Sequence, residues 1–314
     1  MRAMETNQRR GARRVRVFQV DAFTNQRFAG NPAGVVLDAD CLSPAEMQAI
    51  ARELNNGDTV FALPPDGSDH DLSVRFFTPR TEAAFVGHAT LALHAVRAAL
   101  GLPPARRQRQ KSGLVQVDTV PAGTGFAVNI HQPPPVLRGA PAADTLQDVL
   151  TALGLTPLQL DPRCPPTLAG EGSTRALLAL RESTTLAALQ PDLARLAALS
   201  PRIGAQGYLL YTLDSHVSGC LTEARMFCPA IGIAEDPVSG NAHGMLGALL
   251  HREGLLRERT PAGDACFRGA QGQSVGRPGE VQVTVRPGAT PGENAGVSIG
   301  GEAVIVFATE LALD

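Results

Sequence analysis

Apolar residues fall into short alternating runs for most of the chain, broken by two long apolar stretches. Val15-Arg-Val-Phe-Gln-Val-Asp-Ala-Phe23 alternates with the period of a half-buried strand, and Ala33–Ala39 reads as a more buried one. Ser43-Pro44 then open a helix, serine as N-cap and proline at the first helical position. Met47, Ile50, Ala51 and Leu54 form its apolar stripe, and Asn55-Asn-Gly57 stops it. Strands are expected over 58–63 and 72–77, then a helix over 89–100 that is apolar almost all round. Such a helix belongs inside a domain, and Gly101 ends it. Strands at 115–120 and 126–130 follow. Past Gln132-Pro-Pro-Pro135 the pattern predicts helices over 145–153 and 184–199, then strands over 175–181, 207–213 and 223–228. A second apolar helix is expected over 241–250, and a β-rich tail over 281–285, 297–299 and 303–307. Strands outnumber helices and do not alternate with them, which argues against a doubly wound parallel sheet.

The chain echoes itself. Arg75-Phe-Phe-Thr-Pro79 precedes the first apolar helix, and Arg225-Met-Phe-Cys-Pro229 precedes the second. In each case a strand leads through a glycine turn, Gly87-His88 or Ser239-Gly240-Asn241, into an Ala/Gly/Leu helix. A single repeat of nearly half the chain is too long for a solenoid. It implies an α+β protein of two similar domains, mostly antiparallel strands wrapped round one buried helix in each, with two helix N-termini converging on one cleft. The first amides of a helix have no partners inside it, so each N-terminus is a candidate anion site.

Composition sets the outer limits. The chain of 314 residues accommodates two domains, with 44% hydrophobic and 18% charged residues. A net charge of −2, no Trp and two Tyr give nothing to attract or stack nucleic acid. No apolar run reaches the ~18 residues of a membrane helix. The odd number of cysteines, five, without C-x-x-C spacing, fits reduced thiols in a cytoplasmic protein. The arginine-rich residues 1–14 lack an apolar signal core and are expected to form a disordered leader.

No dinucleotide fingerprint, phosphate loop or H-E-x-x-H is present, and the seven His are scattered without metal-ligand spacing. Gly296-Val-Ser-Ile-Gly300 matches G-x-S-x-G, but strand pattern continues through it and no His follows, so it reads as a glycine-bearing β-segment. Four polar positions remain. Taken singly, His88 and Asn241 are ordinary helix-end residues, Asp236 a turn residue before Pro237, and Asp58 a loop carboxylate. Taken together they carry chemistry, because His88 and Asn241 hold equivalent places where the two helix N-termini meet. An acid or base there can act on a bound carboxylate.

At these residues the sequence resembles the PhzF-like isomerase family of phenazine biosynthesis, and within it the YddE-like branch. The resemblance rests on Asp21-Ala-Phe-Thr-Asn-Gln-Arg-Phe-Ala-Gly-Asn-Pro32, the helix from Ser43, Phe77-Thr-Pro79, Gly87-His88, and Pro229-Ala-Ile-Gly-Ile through Glu235-Asp-Pro-Val-Ser-Gly-Asn-Ala242. It implies the diaminopimelate-epimerase fold: β-barrel domains over 15–131 plus 302–314 and over 132–301. It also implies no cofactor and often a homodimer. The family's general-base glutamate aligns with Asp58, one methylene shorter, and its substrate-contacting serine aligns with Asn241. Racemases of this fold carry thiols where this chain has Val86 and Ser239, so a two-thiol mechanism is not expected. The resemblance therefore implies a proton-transferring isomerase of a small carboxylic acid. Asp58, His88 and Asp236 are its catalytic candidates, and Gly87, Ala89, Ser239, Gly240, Asn241 and Ala242 bind the substrate. The alternatives are a small-acid binding protein that kept the cleft, or a hydrolase built on Ser239.

Overall fold

A computed structural model describes residues 13–313 apart from positions 124, 172 and 291. The expected leader lies outside the described residues as far as position 12. Arg13 and Arg14 already belong to the first strand, where they pair with Glu46 and Glu310.

The first half runs β1 Arg13–Ala22, β2 Asn31–Leu37, α1 Pro44–Leu54, β3 Asp58–Leu63, β4 Leu72–Phe77, β5 Glu82–Ala83, α2 Gly87–Ala99, β6 Arg107–Gln110, β7 Gly113–Ala122 and β8 Gly125–Gln132. β1 and β2 pair antiparallel, and α1 carries the chain over to β3, parallel to β2. β4 returns antiparallel to β3, and α2 is the crossover to β6, parallel to β4. β6, β7 and β8 then form an antiparallel meander.

The second half repeats this order. It contains β9 Leu137–Arg138, α3 Ala143–Ala152, β10 Thr167–Ala169, β11 Arg175–Leu180, α4 Ser183–Ala187, α5 Leu193–Ile203, β12 Gly207–Thr212, β13 Thr222–Cys228, β14 Ile233–Asp236, α6 Gly240–Arg252, β15 Ala265–Gln271, β16 Gly279–Pro287 and β17 Asn294–Leu313. From β10 to β17 the pairings are antiparallel, parallel, antiparallel, parallel, antiparallel and antiparallel, strand for strand as in β1 to β8. The sequence echo has a structural counterpart. Arg75 pairs with Glu82 and lies 5.1 Å from the Phe77 ring centroid, and Arg225 pairs with Glu235 and lies 5.0 Å from that of Phe227.

Three expectations need correction. The helix expected over 184–199 is two, because Pro191 interrupts it and Asp192 caps α5, accepting from the Arg195 amide at 2.9 Å. The tail strands 297–299 and 303–307 are one strand, since Gly300-Gly301 breaks the apolar pattern without ending the ladder. β15, Ala265–Gln271, was not anticipated; its Arg268, Gly269 and Gln271 hide the alternation.

β17 joins the halves. Residues 297–302 pair with β8, and residues 303–313 pair with β1. α2 packs its buried Leu91, Leu93 and Val96 against β1, β2, β3, β8 and β17. α6 packs against β15, β16 and β17, so closely that a Cβ at Gly247 would sit 2.6 Å from Val283 Cγ1. The result is a mixed α+β protein with an extensive strand network and few helices.

Candidate active site

Asp58, His88 and Asn241 are placed by the starts of β3, α2 and α6, and Asp236 by the end of β14. Asn55 caps α1 in the left-handed conformation (φ 52°), turning the chain so that Asp58 opens β3 beside Ala33 of β2. Val86 and Ser239 are the equivalent N-caps of α2 and α6. Val86 has no side chain able to cap, so the first amides of α2 are left without one. Ser239 accepts from the Ala242 amide at 3.4 Å, and its own amide donates to Gln271 Oε1 at 3.1 Å. The cap of α6 is thus Ser239, and Asn241 lies in the first turn. With Ser239 and Ala242 engaged, Gly240 and Asn241 are the amides of that turn left for a ligand. Ala89 and Ala242 are fully buried, and the Ala242 amide is already taken by Ser239.

The two helix starts meet. α2 and α6 are in contact, and Ile299 Cδ1 lies between them, 3.4 Å from a Cβ built on Gly87 and 2.9 Å from one built on Gly240. Gly240 is closed in further by Phe23 Cζ, 2.6 Å from that same Cβ position. Its absent side chain therefore serves packing between the halves before it serves any ligand.

Asp58 and His88 face each other, His88 Nε2 lying 3.8 Å from Asp58 Oδ2, beyond hydrogen-bond range. Their side chains are only 15% and 12% exposed, and His88 Nε2 is buried without a hydrogen-bond partner among the described residues. Asp236 arrives from the other half. Its Oδ1 accepts from Asn31 Nδ2 at 2.8 Å, and the same amide group donates to Val238 O at 2.8 Å. The Asp236 carbonyl accepts from Gln271 Nε2 at 2.6 Å.

Burial sets the charges. It pushes the Asp58 carboxyl up to about 8, helped by the negative charge of Asp236, and no cation or donor offsets either effect. Burial raises Asp236 to about 6, against the opposing pull of Arg175, Asn31 and the Val238 amide. Burial lowers His88 to about 4, leaving it neutral. At neutral pH the site thus holds a protonated Asp58, a neutral His88 and a largely ionised Asp236. Paired titratable groups whose environments spread their proton affinities are the usual basis of acid–base chemistry.

Sequence reasoning missed Asn31, Gln271 and Arg175. Asn31 stood inside the quoted motif, where Gly30-Asn-Pro reads as a turn. Its position is held from both halves: Asp21, 2% exposed, accepts from the Phe28 amide at 2.7 Å and from Arg277 at 2.6 Å. Arg277 also donates to the carbonyls of Ala29 and Gly30 at 2.9 Å each. Among the described residues no three His, Cys, Asp or Glu side chains cluster as a metal site would. The hydrolase reading of Ser239 finds no base on its hydroxyl among the described residues: His243, one turn on, bonds the Ser239 carbonyl at 2.9 Å.

A sequence model described as phenazine biosynthesis-like protein, PhzC-PhzF, matches residues 20–309. The chain belongs to this family of isomerases. The uncharacterized isomerase YddE of Escherichia coli (strain K12) is 38% identical over 300 residues, covering 95% of this chain and 98% of the relative. The trans-2,3-dihydro-3-hydroxyanthranilate isomerase of Pseudomonas fluorescens is 31% identical over 271 residues, covering 82% of this chain and 86% of that enzyme. Among solved structures, a Bacillus anthracis phenazine biosynthesis protein of the PhzF family superposes with a TM-score of 0.82 at 26% identity, over 95% of this chain and 99% of that one. A hydroxyproline epimerase from Agrobacterium vitis, at 15% identity, shares the fold with a TM-score of 0.62, over 96% of this chain and 93% of that one. The isomerase therefore presents its family's motifs at the junction of its two halves. No helix among its described residues is long and apolar enough to cross a membrane.

Proposed function

We propose that this isomerase moves a proton between carbon atoms of a small cyclic or amino carboxylic acid, with Asp58 as the proton carrier and no cofactor. The observation that carries the reading is the Asp58–His88 pair: a buried carboxyl with a pKa of about 8, 3.8 Å from an imidazole nitrogen without a hydrogen-bond partner among the described residues. A base that removes a proton from one carbon and returns it to another needs a proton affinity near the working pH, so that both steps remain accessible. About a tenth of Asp58 is ionised at pH 7 if its pKa is about 8. Neutral His88 then orients the substrate or relays the proton. Asp236, kept more acidic by Asn31 and Arg175, holds a polar substituent of the substrate.

The substrate carboxylate rests on the amides of Gly87, His88 and Ala89 and on those of Gly240 and Asn241. Each helix dipole adds about 0.3–1 kcal/mol, and up to ~2 where partly buried. The relative that acts on a dihydro-hydroxyanthranilate supports a cyclic amino acid as substrate class. Two-thiol racemisation is not available, because the two N-cap positions are Val86 and Ser239.

This reading includes the architecture. Residues 15–131 with the end of β17, from 302 to 313, form one barrel round α2, supported by a ladder that runs β1-β2-β3-β4-β6-β7-β8-β17 and back to β1, its β8 step made by residues 297–302 shared with the second barrel. Residues 132–301 form the second round α6. A cytoplasmic homodimer belongs to the same reading and rests on the family resemblance. The second reading, a small-acid binding protein without chemistry, is favoured by the short reach of Asp58. Aspartate retreats about 1.5 Å from the place of a glutamate, and ~1 Å of misplacement costs up to ~10²-fold in rate. A screen of cyclic and amino carboxylic acids in deuterated water separates the two. Deuterium entering at carbon supports the isomerase, and binding without exchange supports the binding protein.

A further inference from the structure

The Gly296-Val-Ser-Ile-Gly300 segment lies mid-strand in β17, with none of the strand–turn–helix geometry of a nucleophile elbow. It nonetheless has a base. Ser298 stands opposite His131 of β8, and its Oγ is 2.8 Å from His131 Nδ1. His131 Nε2 is 2.7 Å from Asp118 Oδ2 on β7. With Asp118 accepting from Nε2–H, the Nδ1 lone pair points to the Ser298 hydroxyl; this tautomer is assigned from the hydrogen-bond network.

The two glycines admit polar neighbours beside the serine's strand. Residues 296, 298 and 300 project on one face of the strand. A Cβ at Gly296 would lie 3.3 Å from Arg286 Nη2, and one at Gly300 would run into Asn129 Oδ1. A guanidinium and a carboxamide thus lie beside the glycines on either side of Ser298. His131 and Asp118 side chains are 29% and 38% exposed, so solutes reach them. The other face of the strand carries Val297 and Ile299, both buried, and Ile299 is the residue wedged between the starts of α2 and α6. The serine and Asp58 are therefore served by opposite faces of one sheet.

We propose that Ser298, His131 and Asp118 form a second reactive centre, an activated serine that takes acyl groups from small activated esters bearing a carboxylate. The Ser298 oxygen forms a bond to the ester carbonyl carbon while its proton passes to His131 Nδ1. The carbon–oxygen bond to the leaving group then breaks, and the leaving alkoxide or phenoxide takes that proton. Water, deprotonated by His131, releases the acid and restores the serine. Asp118 holds the imidazole in the required tautomer, and Arg286 pairs with the substrate carboxylate.

The test uses the full chain with a fluorophosphonate probe, followed by intact mass and peptide mapping. Here the serine oxygen displaces fluoride from phosphorus. One label per chain at Ser298 is expected, with none in Ser298→Ala and a rate about 10²-fold lower in His131→Gln. Asp58→Asn should label as wild type. Melting temperatures within a degree or so of wild type establish that the variants are folded; the substitutions lie on a sheet face, where effects are small. Turnover of a 4-nitrophenyl ester with a terminal carboxylate should exceed that of 4-nitrophenyl acetate, and Arg286→Gln should remove the difference. Absence of label on the folded wild type, label on another residue, or an undiminished rate in His131→Gln would each overturn the proposal. An ester preference unaffected by Arg286→Gln would overturn the substrate class.

Discussion

Three side chains share two protons at the centre of this protein, and their order of ionisation follows from what surrounds each. Asp58 has burial and a neighbouring carboxylate against it, while Asp236 has burial partly offset by Asn31, Val238 and Arg175. If the ionised Asp58 is the base, kcat/KM should fall about tenfold per unit of pH below about 8, the pKa of Asp58 in the free protein. A pH–rate profile of any substrate found in the exchange screen checks this. Stability should carry the same signature. The Asp58 pKa is raised from 3.8 to about 8, so the folded state holds a proton that the unfolded chain releases above the lower value. Its contribution is present in full below the lower value and is lost as pH rises through about 8. Asp58→Asn removes that loss, so its melting temperature relative to wild type should climb between pH 5 and pH 9; a flat difference would mean that Asp58 is not desolvated. Of this site, the sequence displays Asp58, His88 and Asp236 because each begins or precedes an element with a visible pattern. Asn31 stayed hidden because its partner Asp236 is 205 residues away, and no local periodicity records such a contact.

At the scale of elements, the two halves repeat an arginine–glutamate–phenylalanine arrangement with different stakes. Arg225 and Glu235 are 12% and 14% exposed, and Arg225 also serves the carbonyls of Leu186, Ala187 and Leu189 at the end of α4. Arg225→Met leaves the half-buried Glu235 to the Ser274 hydroxyl and should cost about 1.5–3 kcal/mol. The pair of Arg75 and Glu82, 29% and 24% exposed, is closer to surface behaviour, and Arg75→Met should cost about 1 kcal/mol. Urea unfolding of both variants tests the ranking. The glycines at the helix starts differ in the same manner. Gly87→Ala places its methyl 3.4 Å from Ile299 and should be tolerated, whereas Gly240→Ala meets Phe23 at 2.6 Å and should lose about 1–3 kcal/mol to overpacking. Loss of ligand binding in a Gly240 variant would therefore say little unless the fold is shown intact. Element boundaries were legible where caps are explicit, as at Ser43 and Asn55. They were lost where tertiary pairing overrides local pattern, as in β15 and across Gly300-Gly301 of β17.

The whole molecule depends on a strand that belongs to both halves. β1 is paired over its length with residues 303–313, so ending the chain at Glu302 would open β1 along one edge and leave Val15, Val17 and Phe18 less covered. Such a truncation should be insoluble or unfolded by circular dichroism, rather than a slightly less stable version of the protein. The internal repeat was readable because Arg75-Phe-Phe-Thr-Pro79 and Arg225-Met-Phe-Cys-Pro229 keep both the arginine over its ring and the strand leading to a buried helix. The facing of the halves was readable from that repeat, but the contacts that join them were not, since Asp21–Arg277, Asn31–Asp236 and the shared β17 are long-range pairings. That union brings Asp58 of one half into the field of Asp236 of the other, and we propose that Asp58, with His88 beside it, moves protons at carbon. The direct measurement is deuterium uptake at carbon, by NMR, from cyclic and amino carboxylic acids incubated in deuterated water with wild type and with Asp58→Asn. Wild type should catalyse uptake into at least one acid that it binds, and Asp58→Asn should bind that acid within a few-fold while catalysing none. Full uptake by Asp58→Asn, or no uptake by wild type from any acid that it binds, would contradict the account.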